Sequence, residues 1–217
     1  MTRRLVSGVL VFLAVAGAAI SGPSSKVAWT LETVRAVRAG DASQGKKLNG
    51  DCAACHGENG IAETPDVPTL AGQDPLYTYK QLQDYKSGLR ASPIMGEAVA
   101  NLSDKDMASL AAFYASQKAP APAASQPAAA IARLIALGDG RRLIAACDSC
   151  HGNRGSGNPG SYGMPTLSIQ KRDELSTEMT VFKTGERAND VYRVMRDIAG
   201  KLTDDEIKAL AAYYGNK

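Results

Sequence analysis

One pentapeptide occurs twice in this 217-residue chain, as Cys52-Ala53-Ala54-Cys55-His56 and as Cys147-Asp148-Ser149-Cys150-His151, and the two copies use every cysteine and every histidine. C-x-x-C-H is the attachment pattern of c-type haem: two thiols add across the porphyrin vinyl groups, and the adjacent imidazole binds the iron. No thiol is left for a disulfide, and no histidine for a base or a second iron ligand. A structural zinc site is the competing reading, but zinc normally takes four protein ligands in a tetrahedral array. Each cluster here offers three, with the histidine directly behind its cysteine. Aromatic residues are few, at 6%, and a domain of about 80 residues buries too little surface to be robust alone. A porphyrin would supply the missing apolar centre. Two haem c groups are expected.

The N-terminus reads Met1-Thr2-Arg3-Arg4 followed by an apolar run from Leu5 to Ile20. A short basic region, an apolar run rich in Ala and Gly and a small-residue end form the pattern of a secretory signal peptide. Residues 1–22 are read as that leader, with retention as an N-terminal membrane anchor as the alternative. In a bacterial-looking sequence the rest of the chain then lies in the periplasm. Residues 23–39, with the single tryptophan Trp29, are read as an N-terminal arm.

The remainder is an internal duplication. Gly45-Lys46-Lys47-Leu48 and Gly140-Arg141-Arg142-Leu143 match at an offset of 95. Pro68-Thr69-Leu70 matches Pro165-Thr166-Leu167, and Tyr85-Lys86-Ser87-Gly88 matches Phe182-Lys183-Thr184-Gly185, both at 97. Leu102 through Tyr114 matches Leu202 through Tyr214 at 100. Two modules follow, residues 40–117 and 131–217, joined by the Ala/Pro-rich segment 118–130, whose prolines forbid a continuous helix. Capping boxes at Ser103/Asp106 and Thr203/Glu206 open the last helix of each module. Met107, Leu110, Ala111 and Tyr114 then share one helical face, as do Ile207, Leu210, Ala211 and Tyr214. Further helices are expected over Leu76–Lys86 and from about Asp173 to Lys183, with short helices leading into each haem motif. Strand patterning is absent, so the fold class is all-α.

His56 and His151 supply one axial ligand each. The duplication selects the opposite ligand among six methionines: only Met95 and Met195 coincide, at the offset of 100, each seven residues before the leucine that opens the last-helix motif. Met107, Met164 and Met179 match Ile207, Val67 and Leu82 and read as core. The approach to Met195 is three residues longer than that to Met95. A His/Met pair fills both axial positions and raises the potential through the soft thioether. Each histidine needs a partner for its second ring nitrogen, and the carbonyls of Pro68 and Pro165 are the candidates.

Net charge is +3, too small for a nucleic-acid binder. Residues 40–117 carry six Lys/Arg against ten Asp/Glu (net −4), and residues 131–217 carry thirteen against eleven (net +2). Such asymmetry steers encounters with partners rather than fold.

With both haem motifs, both methionines and the helix pattern in hand, the chain resembles class I c-type cytochromes twice over, and more closely the dihaem cytochrome c₄ family. Pro68-Thr69-Leu70-Ala71-Gly72-Gln73, Gln81 through Gly88, Pro93-Ile94-Met95, Gly185 through Asp190 and Met195 carry the likeness, which covers residues 40 to 217. One departure is Ser168-Ile169-Gln170 in place of Ala71-Gly72-Gln73. The resemblance implies an electron carrier whose proline carbonyls accept from the histidines and whose methionines close each site. It also implies single-electron traffic between respiratory donors, such as a quinol-oxidising complex or a dehydrogenase, and an acceptor such as a terminal oxidase, often with membrane association. No catalytic residue, small-molecule substrate or nucleic-acid partner is expected. The alternative is the dihaem subunit of an oxidoreductase complex such as flavocytochrome c sulfide dehydrogenase. A self-contained dihaem peroxidase or thiosulfate-oxidising cytochrome would need an open iron, or a histidine or thiolate that this chain does not have to spare.

Overall fold

A computed structural model describes residues 25–122, 125–158 and 163–216, so the expected leader lies outside the described residues. Among these residues regular structure is helical, with two isolated bridges (Asp139 with Ile144, Lys171 with Asn216) and no strand, in agreement with the all-α expectation. The first half holds α1 (Leu31–Arg38), α2 (Ala42–Leu48), α3 (Gly50–His56), α4 (Pro75–Lys86), α5 (Pro93–Val99) and α6 (Asp104–Ser116). The second holds α7 (Ala129–Leu137), α8 (Cys147–His151), α9 (Arg172–Thr184), α10 (Val194–Ala199) and α11 (Asp204–Tyr214). Among the described residues no helix is long and apolar enough to cross a membrane.

Local chemistry explains the helix starts. Both capping boxes form: the Ser103 and Thr203 hydroxyls accept from the backbone N–H of Asp106 and Glu206, whose carboxylates accept from the N–H of Ser103 and Thr203. They satisfy donors that the first helical turn leaves unpaired. Pro75 and Pro93 open α4 and α5, where a missing N–H costs nothing. Behind the caps, the expected faces of α6 and α11 are the cores. Met107, Leu110, Ala111 and Tyr114 are buried, as are Ile207, Leu210, Ala211 and Tyr214. Burying each large apolar side chain of this kind contributes about 1.5–3 kcal/mol.

The segment read as an arm contains α1. Its Val34 and Val37 are buried against Leu76, Tyr79, Met107, Ala108 and Ala111, and Trp29 packs on the same cluster. The match between Gly45 and Gly140 does not extend to structure. Gly45 lies in α2, where a Cβ would come within 2.1 Å of the Ser109 carbonyl of α6, so only glycine permits that crossing. Gly140 lies in a turn with open space around it. The short helix expected there is replaced because Asp139 accepts from the N–H groups of Arg141 and Arg142 and closes a turn instead. In the second half α7 fills the core, with Ile131, Leu134 and Ile135 buried against Leu202, Ile207 and Leu210.

The two halves meet through buried polar groups. Lys80 Nζ donates to Asp84 (2.5 Å) and to the Asn189 carbonyl (2.6 Å), while Asn189 Nδ2 donates to Asp84 (2.7 Å) and Gln81 (3.0 Å). Beside them Arg187 donates to Tyr77 and Gln81 across the boundary and pairs with Glu178, which also takes Arg90. Burial works against the Glu178 carboxylate, but Arg90 and Arg187 outweigh it and hold its pKa below the usual value.

Candidate functional site

Cys52, Cys55 and His56 stand at i, i+3 and i+4 on α3 and therefore share one helical face. Cys147, Cys150 and His151 repeat that spacing on α8, which is no longer than the motif itself. The structure thus brings each cysteine pair together with its histidine.

Both histidines are buried, at 7% exposure. Nδ1 of His56 lies 2.9 Å from the carbonyl of Pro68, and Nδ1 of His151 lies 3.0 Å from that of Pro165. A carbonyl only accepts, so Nδ1 carries the proton and Nε2 keeps the lone pair a metal needs. The proline carbonyls expected as partners occupy that role in both halves. Burial, opposed by those carbonyls, holds both imidazoles below their ordinary pKa, which favours the neutral, ligating form.

The cysteines tell the same story. Burial pushes the Cys52 thiol up and the Cys147 thiol up to about 11. A zinc ligand or nucleophile needs a thiolate in electropositive surroundings. At Cys52 and Cys147 the surroundings favour an uncharged sulfur, which is what a thioether is. Among the described residues no group of three or more His, Cys, Asp or Glu side chains is arranged to hold a metal ion. The residues fit a covalently attached porphyrin.

The segment carrying each proline is strapped to the loop behind its haem motif. The Gly60 carbonyl accepts from the N–H groups of Leu70 (2.7 Å) and Ala71 (3.0 Å), and the Gly155 carbonyl accepts from those of Leu167 (2.8 Å) and Ser168 (3.1 Å). Both glycines have left-handed φ, +77° and +69°, and a Cβ at either would meet the ring of Tyr114 or Tyr214 at 2.7 Å. Glycine is required at both places, and the strap fixes where each proline carbonyl points.

Met95 and Met195 come from other helices and are half-buried. Met95 sits in the first turn of α5, its N–H accepted by Ser92 Oγ at 3.2 Å. Met195 sits in the first turn of α10, reached through a 3₁₀ turn (Val191–Arg193) in which Tyr192 and Arg193 have φ of 54° and 61°. The longer approach to Met195 thus runs through left-handed backbone. Asp190 anchors it, accepting from the Arg196 N–H (2.9 Å) and Nε (2.6 Å).

Sequence reasoning missed the residues next to the prolines. Thr69 N–H donates to Gln170 Oε1 (3.0 Å) and its carbonyl accepts from Gln170 Nε2 (2.7 Å). Thr166 makes the same pair of bonds with Gln73, at 2.8 and 3.1 Å. The signal was present: Thr69/Thr166 and Gln73/Gln170 share the offset of 97 with the prolines.

Comparison with known proteins agrees with this geometry. The family described as cytochrome c matches residues 42–118, and that described as cytochrome C oxidase, cbb3-type, subunit III matches residues 137–213. Cytochrome c4 of Azotobacter vinelandii is 37% identical over 193 residues, covering 81% of this chain and 88% of that protein. A thiosulfate dehydrogenase electron acceptor of Stutzerimonas stutzeri is 38% identical over 170 residues, covering 76% of this chain and 78% of its own. The crystal structure of reduced recombinant cytochrome c4 from Pseudomonas stutzeri superimposes with a TM-score of 0.73 at 34% identity, covering 82% of this chain and 99% of that one. Two tandem cytochrome c domains, each with a buried histidine held by a proline carbonyl, make this chain a member of the cytochrome c4 family, a dihaem c electron-transfer protein and not an enzyme.

Proposed function

We propose that Cys52 and Cys55 hold one haem c and Cys147 and Cys150 the other. His56 with Met95 would bind one iron, and His151 with Met195 the other. The observation that carries this reading is the duplicated His–Pro hydrogen bond, which leaves Nε2 of each histidine as the metal-binding atom. Each bound haem supplies a one-electron couple. The chain supplies a neutral imidazole, a pair of thiols for covalent attachment and a methionine on a separate helix, a donor set that would leave no coordination position for a substrate. The protein works in the periplasm behind a secretory leader or an N-terminal anchor, as modules 40–117 and 131–217 joined by 118–130. It carries electrons from a quinol-oxidising complex or dehydrogenase towards a terminal oxidase.

A second reading, an electron acceptor serving an oxidoreductase complex, is favoured by the Stutzerimonas stutzeri relative named for thiosulfate dehydrogenase. Near-infrared spectra during a redox titration of the purified protein test the ligand assignment. Two His/Met signatures are expected, and a vacant or differently ligated iron would overturn it. Stopped-flow mixing with a terminal oxidase and with a thiosulfate dehydrogenase separates the two partners by rate.

A further inference from the structure

Each peptide group that accepts from a buried histidine is held from behind by the opposite module. The peptide joining Pro68 to Thr69 presents its carbonyl to His56 Nδ1 at 2.9 Å and its N–H to Gln170 Oε1 at 3.0 Å. The peptide joining Pro165 to Thr166 presents its carbonyl to His151 Nδ1 at 3.0 Å and its N–H to Gln73 Oε1 at 2.8 Å. The return bonds, from each Nε2 to the threonine carbonyl, fix which way both amides face. Gln73, Gln170, Thr69 and Thr166 are all buried, at 3, 8, 3 and 8% exposure, so solvent does not screen the chain.

We propose that Gln73 and Gln170 are positioning residues acting across the module boundary. Each sets the basicity of the histidine in the other module, and through it the potential at that iron. An amide whose N–H is hydrogen-bonded is polarised, and its carbonyl becomes a stronger acceptor. A stronger acceptor on Nδ1–H makes Nε2 a more basic ligand. A more basic imidazole favours the ferric charge, so each glutamine lowers the potential of the site it does not belong to. The inference rests on the reading of His56 and His151 as iron ligands.

The test is a redox titration of holoprotein carrying Gln170→Leu or Gln73→Leu, with Met95→Leu used to identify the first module's wave. Gln170→Leu should raise the first module's potential and leave the second's in place; Gln73→Leu should do the reverse. The expected size is about a fivefold change in ferrous-to-ferric ratio at fixed ambient potential, or about 40 mV at ~59 mV per tenfold for one electron. A purely structural glutamine predicts the opposite sign: loosened modules admit water to both irons and both waves fall. That outcome, unmoved waves, or a shift confined to the substituted module would each overturn the proposal. Gln170→Glu keeps an acceptor on the Thr69 N–H, so it should not raise the first wave even if the leucine variant fails to assemble; a rise would refute the idea. Near-infrared spectra of the wild type separate the two failures. If they lack His/Met signatures, the ligand reading is wrong; if they show them and the waves do not move, only the cross-module inference is wrong.

Discussion

Replacing Lys80 by methionine should loosen the join between the modules without touching either haem motif. Lys80 and Asp84 lie 2.5 Å apart with side chains 5% and 0% exposed, and Lys80 also donates to the Asn189 carbonyl of the second half at 2.6 Å. Methionine keeps the aliphatic stem and removes the charge, leaving a buried carboxylate on Asn189 Nδ2 (2.7 Å) and Ser25 Oγ (2.8 Å). Removing one partner of a buried ion pair costs ~3–5 kcal/mol. The two surviving donors keep the loss near the lower end, at about 3 kcal/mol. Lys80→Met/Asp84→Leu removes both charges and should cost less than Lys80→Met alone, because no ion is then stranded. The assay is guanidinium unfolding of ferric holoprotein followed by the fluorescence of Trp29, the sole tryptophan. Trp29 packs on the first module's core and borders Gly163 of the second, so it reports on the join. A Lys80→Met loss below about 1 kcal/mol would refute the dry ion pair. So would a double variant whose cost equals the sum of the two singles, since uncoupled sites add.

Met95→Leu and Met195→Leu should each lower one of the two potentials and open that iron to exogenous imidazole; unchanged potentials and spectra in both variants would refute the axial assignment. Gly155→Ala puts a Cβ 2.7 Å from the Tyr214 ring at a φ of +69°. It should cost ~2 kcal/mol or more and lower the yield of doubly attached haem, whereas wild-type stability would show that the strap has slack. Burial, and then the neighbouring Glu178, raises the Glu174 carboxyl to about 7 from an ordinary 4.5. The folded state therefore holds the extra proton, and the stability it confers is complete below about pH 4.5 and lost as pH rises to about 7. Glu174→Gln should flatten that slope and stabilise the protein at pH 8 by ~1–2 kcal/mol, discounted for partial exposure; a variant whose stability profile from pH 5 to 7 parallels wild type would count against it.

The haem motifs, the proline carbonyls and the capping boxes were legible in sequence because each depends on residue types at short, fixed spacing. Duplication located the matching last helices, and it nominates Met95 and Met195 among six methionines as the proposed ligands. It also misled: Gly140 aligns with Gly45, yet only Gly45 is pressed against another helix. Lys80, Asp84, Arg187 and Asn189 could not be read as interior residues. Charged and amide side chains in isolation look like solvated surface, and their partners here lie as much as 110 residues away in sequence. The buried role of α1 was hidden for a different reason: the segment lies ahead of the first repeat, so the duplication offers it no counterpart to be read against.

The exchange of glutamine and threonine between equivalent places has a further consequence. When position i of one copy bonds position j of the other and j returns the bond to i, the contact is the self-complementary kind that builds two-fold homodimers. A solitary module carrying Pro-Thr-Leu and the following glutamine already holds both halves of that handshake. The Ala/Pro tether adds no part of this bond set; it raises the local concentration of one copy around its twin. Separated modules added together in solution should therefore find the same mutual pose, limited by dilution and not by any missing group.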